Sequence, residues 1–256
     1  AEVTDDDVLN SIYKEKLTEY DLLNLLSPKA KNHLERMARR AQEIKTQHFG
    51  NIISLYMPIY ISNFCTNNCT YCGFSKKNHI VRKHQNLEEI EEEAKEIAKH
   101  GVEHILMLTG EAHGLVTLDY LKDAVKVLKK YFNSVSIEVM PLEEWEYKEL
   151  ADIGVDGLTV YQETYDEEIY DKVHLSGKKK DYHFRLNTPE RGAKAGLRTI
   201  GIGPLFGLSE IKKEAFFAGL HLKYLTDKYL NSSFAISLPR INPAEGGFQP
   251  DHPLDD

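Results

Sequence analysis

Apolar and polar positions follow a repeated unit along most of the chain. A short run of apolar, often β-branched residues leads into a polar loop and then an amphipathic helix that ends near a glycine. The strand candidates are residues 55–62, 104–109, 135–140, 157–162, 199–205 and 234–238. Parallel strands need a crossover connection, so strands that alternate with helices predict a parallel sheet. The pattern therefore predicts an α/β fold built as a (β/α) TIM-type barrel, or a large part of one.

A doubly wound open sheet would give a similar order of elements. Polar and charged residues follow nearly all of the predicted strands, however, which favours a barrel mouth over a single switch point. The predicted strands stop two short of a closed eight-stranded barrel. We therefore expect either a partial barrel or a C-terminal part that is missing from the chain.

The N-terminal region has a helical pattern instead of the repeated unit. Residues 4–47 read as helices, with Ser27 expected as an N-cap and Pro28 at the first helical position. We expect a helical extension over residues 1–50, packed on a barrel that occupies residues 51–256.

Two later helices carry clear start signals. Asn86 lies three residues before Glu89, the spacing of a capping box. Thr188 precedes a proline and is expected to cap the helix that ends near Gly196.

The charge and hydropathy of the chain indicate whether it binds nucleic acid or a membrane. The net charge is -8 and the pI is near 5.8, which argues against a general grip on nucleic acid phosphates. No apolar run reaches the ~20 residues that span a bilayer, and the acidic start of the chain lacks the pattern of a secretory signal. We expect a cytoplasmic protein that binds neither nucleic acid nor membrane.

All three cysteines of the chain lie within one loop directly after the first predicted strand. Cys65, Cys69 and Cys72 have the spacing CxxxCxxC. Thiolates this close together can converge on one soft metal centre, and an iron–sulfur cluster normally takes four of them. A cluster held by three cysteines keeps one iron free to bind another ligand.

Two other interpretations of the cysteines remain open. His79 or His84 could complete a Cys₃His zinc site, although the paired knuckles of structural zinc are absent from the sequence. The thiols could also be buried and inert, but the loop around them is polar. A non-enzymatic iron–sulfur or zinc module is the function that these alternatives predict.

The stretch "CTNNCTYCGF" resembles the cluster loop of radical S-adenosylmethionine (SAM) enzymes. The resemblance implies a [4Fe–4S] cluster whose open iron binds SAM, and whose electron cleaves SAM to methionine and a 5′-deoxyadenosyl radical. "TGE" at 109–111 resembles the turn that contacts the SAM amino group, and "GIG" at 201–203 resembles the stretch beside the adenine. The cofactor-binding residues that we predict are Tyr71, Thr109, Gly110, Glu111, Glu138, Gln162, Arg185, Gly201 and Gly203.

Longer stretches, including "VYQETYDEEIYDKVHLSGKKKDY" and "SLPRINPAEGGFQP", resemble the aromatic amino-acid lyases of this superfamily. The resemblance implies cleavage of L-tyrosine between Cα and Cβ, which gives 2-iminoacetate and p-cresol for the thiazole of thiamine. A HydG-like tyrosine lyase of [FeFe]-hydrogenase maturation is the alternative. The implied partners are L-tyrosine, an electron donor of the flavodoxin or ferredoxin type, and the thiazole synthase ThiG.

The expected catalytic residues are Arg240, Ser237 and Glu163. Arg240 is a candidate clamp for the substrate carboxylate, because a guanidinium matches a carboxylate with two hydrogen bonds, and Ser237 could add a third. Glu138 and Glu163 follow strands, and either could contact ribose hydroxyls, the substrate amine or a structural lysine.

A histidine and a run of basic residues follow the fourth predicted strand, and neither is expected to belong to the site. His174 could approach the phenol of the substrate, but a surface position is expected, as for most isolated histidines. Residues 176–180 read as a solvated basic loop, with contact to an acidic partner as the alternative.

Overall fold

The structure is a computed structural model, and it describes residues 2–254. Its strands are Tyr56–Ser62 (β1), Asn68–Cys69 (β2), His104–Thr109 (β3), Ser134–Glu138 (β4), Val155–Glu163 (β5), His174–Ser176 (β6), Thr199–Pro204 (β7) and Ser233–Ile236 (β8). Its α-helices are Asp5–Tyr13 (α1), Glu19–Leu26 (α2), Leu34–Phe49 (α3), Leu87–Ala98 (α4), Leu118–Leu128 (α5), Glu144–Asp152 (α6), Glu167–Val173 (α7), Tyr182–Leu186 (α8), Thr188–Lys194 (α9) and Ile211–Lys228 (α10). Short 3₁₀ helices cover Pro28–His33 and Lys178–Lys180.

The long strands form one parallel sheet. Within residues 2–254 it has six strands in the order β1-β3-β4-β5-β7-β8, and every neighbouring pair is parallel. Each long strand pairs with the next long strand along the chain, so the order never reverses. A doubly wound sheet requires such a reversal, whereas a barrel wall does not. The predicted barrel-type α/β fold is confirmed, and β2 and β6 form a separate antiparallel ribbon.

The main hydrophobic core lies between the sheet and its helices. Strand residues such as Met107, Ile137 and Leu158 are buried in one cluster with Leu121 and Leu128 of α5. Successive side chains of a strand point to opposite faces of the sheet, so the alternate positions face the other side. That second face carries the polar site described below.

The N-terminal helices have a small core of their own. Val8, Ile12 and Ala30 form a buried cluster that is separate from the main one. Helix α2 packs on α10, where a Cβ on Gly219 would meet the side chain of Leu22. The predicted division at residue 50 stays a prediction. Its outer ends, Ala1, Asp255 and Asp256, lie outside the described residues.

Helix starts were only partly predicted. Asn86 and Glu89 form the expected capping box at α4. Ser27 precedes a 3₁₀ helix instead of the predicted α-helix, and its buried hydroxyl has no hydrogen-bond partner among the described residues. At α9 the N-cap is Asn187, because the hydroxyl of Thr188 donates to the carbonyl of Phe184 in the preceding helix.

A search of the described residues for membrane spans found no helix that is both long and apolar enough to cross a bilayer.

Candidate active site

The cysteine loop begins where β1 ends. Cys69 lies in β2 and is buried, while Cys65 and Cys72 are half-buried. β2 pairs with β6, which places Cys69 opposite His174. The loop then turns back on itself, since the amide of Ser75 donates to the carbonyl of Cys72 at 3.0 Å.

Arg82 fixes the far side of this loop. Its guanidinium donates to the backbone carbonyls of Asn63 at 2.7 Å, Phe74 at 2.9 Å, Ser75 at 2.8 Å and Asn78 at 3.3 Å. A planar guanidinium presents several donors in a fixed geometry, so one side chain can join several turns of backbone. The loop is therefore held in one shape by the protein itself.

A cavity of about 330 Å³ opens beside the three thiols, on the polar face of the sheet. Its walls come from the cysteine loop and from the carboxyl ends of β3, β4 and β5. The lining residues are Tyr60, Cys65, Asn67, Cys69, Tyr71, Cys72, Gly73, Phe74, Leu108, Thr109, Gly110, Glu111, Glu138, Val139, Tyr161, Glu163, Lys179 and Arg185. The structure thus brings together the cysteines and most of the residues predicted to bind the cofactor.

Glu111 and Arg185 form a buried ion pair in the cavity wall. The guanidinium donates to the Glu111 carboxylate at 2.9 Å, and its Nε donates to the carbonyl of Tyr161 at 2.6 Å. The amide of Asn67 donates to the other Glu111 oxygen at 2.7 Å. Glu111 is therefore held rigidly between the cysteine loop and Arg185.

Glu163 and Lys179 form a second buried ion pair, with 2.6 Å between Lys179 Nζ and the carboxylate. Arg185 lies 3.6 Å from the same carboxylate oxygen. Burial raises the pKa of Glu163, but the charges of Lys179 and Arg185 outweigh it, so this pKa lies below its usual value. The backbone of Glu163 has φ of 73°, a conformation that non-glycine residues rarely adopt and that often marks a functional site.

Glu138 lies at the end of β4 and lines the same cavity. Unlike those of the other two glutamates, its side chain has no hydrogen bond or ion pair with any residue in the described part of the chain. Burial raises its pKa to about 7, and the negative charge of Glu163 adds to the effect.

His174 is fully buried, so the expected surface position is wrong. Its Nδ1 lies 2.8 Å from the carbonyl of Tyr170 and must donate there, which leaves Nε2 to accept from the hydroxyl of Tyr71 at 2.8 Å. Burial and the nearby charge of Lys179 lower its pKa to about 3. A neutral histidine thus holds Tyr71 in the cysteine loop.

The interpretation of residues 176–180 as a solvated loop is also wrong for Lys179. Its ammonium is buried against Glu163, and its backbone amide donates to the side chain of Asn67 at 3.0 Å. Lys179 could not be singled out from the sequence, because it is one of three consecutive lysines and only the fold separates it from the other two. Asn67 was missed for a similar reason, as it lies among other polar loop residues.

The turn at 109–111 approaches the cysteine loop closely. A Cβ on Gly110 would overlap the carbonyl oxygen of Phe64, so glycine is required there. The hydroxyl of Thr109 is buried without a partner among residues 2–254, although this residue lines the cavity. The glycine thus lets this turn pack directly against the backbone of the cysteine loop.

Other predicted residues lie further from the thiols. Gly201 and Gly203 of β7 pair with Thr159 and Tyr161 of β5, which places them on the polar face. Gln162 follows Tyr161, so its side chain points to the opposite face, and it does not line the cavity. The structure does not bring Gln162 to the cavity that the other predicted cofactor-binding residues line.

Arg240 and Ser237 follow β8 and are not among the residues that line the cavity. Backbone hydrogen bonds around Phe206 align the segment that contains Arg240 with the end of β7. The side chain of Ser237 hydrogen-bonds the phenol of Tyr161, which does line the cavity. Ser237 therefore lies next to the cavity wall, Arg240 follows it beside the end of β7, and the roles of both residues stay predictions.

The donor set fits an iron–sulfur cluster better than a zinc ion. Among residues 2–254, no three His, Cys, Asp or Glu side chains lie close enough together to hold one metal ion. A cluster takes one thiolate for each iron, so its cysteines need not converge on one atom. His84, one of the proposed zinc ligands, instead lies against Tyr120 with 4.4 Å between ring centroids.

A parallel barrel wall with three thiols at its mouth defines a class of cluster-binding barrel proteins. The sequence model of the radical SAM superfamily matches residues 59–217. The chain therefore belongs to the radical SAM superfamily, whose members use a [4Fe–4S] cluster and SAM.

A curated protein and two solved structures are similar to this chain over most of its length. The chain is 43% identical to 2-iminoacetate synthase of Escherichia coli strain K12, over 98% of this chain and 67% of that protein. Two crystal structures of HydG, a maturase of the [FeFe]-hydrogenase, are also similar. The first has a TM-score of 0.90 and is 30% identical in sequence over 94% of this chain. The second, from Carboxydothermus hydrogenoformans, has a TM-score of 0.89 and is 29% identical over 97% of this chain. The chain spans 56% and 59% of these two HydG chains.

Proposed function

We propose that this protein is a radical SAM lyase that cleaves the Cα–Cβ bond of L-tyrosine to give 2-iminoacetate and p-cresol. The observation that carries the proposal is the 43% identity to 2-iminoacetate synthase over nearly the whole chain. The cavity beside the thiols supports it, because it combines a donor set for a cluster with buried charges for a zwitterionic ligand.

Cys65, Cys69 and Cys72 would hold the cluster. Burial raises the pKa of Cys69 to about 12, so this thiol stays protonated until iron displaces the proton. Thr109, Gly110 and Arg185 line the cavity and are proposed to contact SAM, with the guanidinium of Arg185 as the partner of its carboxylate. When bound, the cluster and SAM supply a radical that abstracts hydrogen.

The substrate would lie between this cavity and the end of β8. Arg240 is proposed as the clamp for the tyrosine carboxylate, with Ser237 beside it. Ser237 already contacts Tyr161 at the cavity wall, so a carboxylate held here would place the amino acid backbone next to the cavity.

Anaerobic reconstitution with iron and sulfide tests this function directly. With dithionite, SAM and L-tyrosine, the protein should release p-cresol and 5′-deoxyadenosine, both measurable by chromatography. Cys69→Ser should lose the cluster absorbance and both products. A reconstituted wild type that cleaves SAM but forms no p-cresol would contradict the tyrosine lyase proposal.

A HydG-like activity is the second candidate, because the two HydG structures share the fold of this chain at TM-scores of 0.90 and 0.89. Both reactions should release p-cresol, so detection of carbon monoxide would identify the HydG-like one. The higher identity to the synthase favours 2-iminoacetate as the product.

The proposed partners follow from the chemistry. Radical SAM enzymes require a reductant, for which we propose an electron carrier of the flavodoxin or ferredoxin type. If the product is 2-iminoacetate, the thiazole synthase ThiG would consume it, and co-purification of the two proteins would test this association.

A further inference from the structure

Three glutamates line the cavity beside the thiols, and their partners differ. Glu111 pairs with Arg185, and Glu163 pairs with Lys179. Glu138 lies at the end of the strand between β3 and β5. Across the described residues 2–254, it is the one carboxylate of the cavity without a cation or a hydrogen-bond donor.

The Glu138 side chain is half-buried, and it lines the cavity. Moving a carboxylate even partly out of water is costly unless an opposite charge or a hydrogen-bond donor compensates it. The two cations of this wall cannot turn to Glu138 without breaking their own pairs. Lys179 is held by Glu163, and Arg185 is held by Glu111 and a backbone carbonyl. A cation that pairs with Glu138 would therefore come from a ligand in the cavity.

We infer that Glu138 is the subsite for the primary ammonium group of the amino-acid substrate, and that it accepts a proton from it. This inference rests on the proposed function, which it deepens. The ammonium donates a hydrogen bond to the carboxylate and then transfers one proton to it. The products of that transfer are a neutral amine and a protonated Glu138, so no oxidant or reductant is needed.

The neutral amine is what the proposed reaction requires. Cleavage between Cα and Cβ follows when a hydrogen atom leaves the amino nitrogen, and the charged ammonium is a poor donor of a hydrogen atom. A carboxylate that shares the cavity with the cluster ligands can remove the proton where the amine must react. A group that titrates near neutrality is suited to such a transfer in either direction.

Binding measurements on three ligands test the subsite. Glu138→Gln should weaken L-tyrosine binding by roughly tenfold to a hundredfold, the usual effect of losing a charged hydrogen bond. It should leave 3-(4-hydroxyphenyl)propionate, which lacks the amino group, and SAM unchanged. Equilibrium dialysis of the reconstituted protein with each ligand gives these values.

The same three ligands are used for the control variant, and they define the results that would contradict the inference. Glu92→Gln, at an exposed position on α4, should change none of the three affinities. Equal weakening of tyrosine and the propionate would overturn the subsite. A loss confined to SAM would assign Glu138 to a ribose hydroxyl instead and would also overturn it.

The pH dependence separates a proton acceptor from a neutral hydrogen-bond partner. Wild-type affinity for tyrosine should rise as the pH increases through about 7, because Glu138 ionises there. Glu138→Gln should lack this rise, and retention of it would overturn the inference. Because these readouts are binding constants, a protein that binds tyrosine through Glu138 yet forms no p-cresol would refute only the proposed function.

Discussion

At the scale of single residues, the site depends on four buried charges that neutralise one another. Glu111, Arg185, Glu163 and Lys179 lie in one cavity wall, and their ion-pair distances range from 2.6 to 3.6 Å. Removal of one member leaves its partner charged and buried, which costs more than the pair contributes. The charges therefore position the ligand-binding groups and also make the wall sensitive to substitution.

Lys179→Met tests this sensitivity. It removes the main partner of Glu163, and we expect the free energy of unfolding at pH 7 to fall by about 3–5 kcal/mol. Urea denaturation followed by circular dichroism measures the change. Lys178→Met is the matched control, since the neighbouring Lys178 is exposed and should lose little stability. Equal effects of the two substitutions would contradict the buried ion pair.

Glu138 gives a prediction for stability against pH. Its pKa is about 7 in the folded protein and near 4.5 in the unfolded chain. The folded state is therefore disfavoured as the pH rises from 4.5 through 7, where the half-buried carboxyl must ionise. Glu138→Gln should raise the melting temperature of the apoprotein at pH 8 and change it little at pH 5. An equal change at both pH values would show that Glu138 is not buried in this way.

At the scale of elements, the cysteine loop is shaped by segments from elsewhere in the chain. β6 pairs with β2 in the middle of the cysteine loop, and Arg82 donates hydrogen bonds to backbone carbonyls on the far side of the loop. Such a loop can present three thiols at fixed positions before any metal binds. The short ribbon of β2 and β6 thus has a functional role that its length does not suggest.

Arg82→Lys is predicted to loosen the loop. A lysine has one ammonium on a flexible stem and cannot reach four carbonyls in a fixed plane. We expect faster amide hydrogen exchange over residues 63–78 and less iron bound after reconstitution. Lys83→Met, at the next and exposed position, serves as the control. Unchanged exchange in Arg82→Lys would mean that the ribbon alone orders the loop.

At the scale of the whole molecule, the described part of the chain contains two hydrophobic cores of unequal size. The large one joins the sheet to its helices, whereas the small one holds the N-terminal helices together. A small core stabilises little structure by itself, so the N-terminal helices should open more readily than the barrel wall.

Ile12→Ala tests whether the two cores behave independently. Loss of this buried side chain should cost about 2–5 kcal/mol within the small core. Amide hydrogen exchange should then increase in α1, α2 and α3 and remain unchanged in β3, β4 and β5. A uniform increase along the chain would contradict a division near residue 50.

The parts of the fold predicted from sequence depend on neighbours in the chain. β3 has the predicted bounds at 104–109, and the Asn86 capping box forms as expected. Alternation along a strand and caps three residues apart are local, so one sequence is enough to reveal them. The prediction of an N-cap at Thr188 is wrong, because the hydroxyl of Thr188 donates to the carbonyl of Phe184 in the preceding helix.

The cysteine spacing was sufficient to predict the kind of site, but not how its charges are arranged. The sequence by itself determined a parallel α/β barrel wall, a triple-thiol loop and the superfamily, because each is encoded by residues close together in the chain. Only the tertiary structure decided that Lys179 pairs with Glu163, that His174 is buried against Tyr71, and that the side chain of Glu138 has no partner among residues 2–254. Those outcomes depend on contacts between distant strands and loops, and on the low dielectric that burial creates around charged groups.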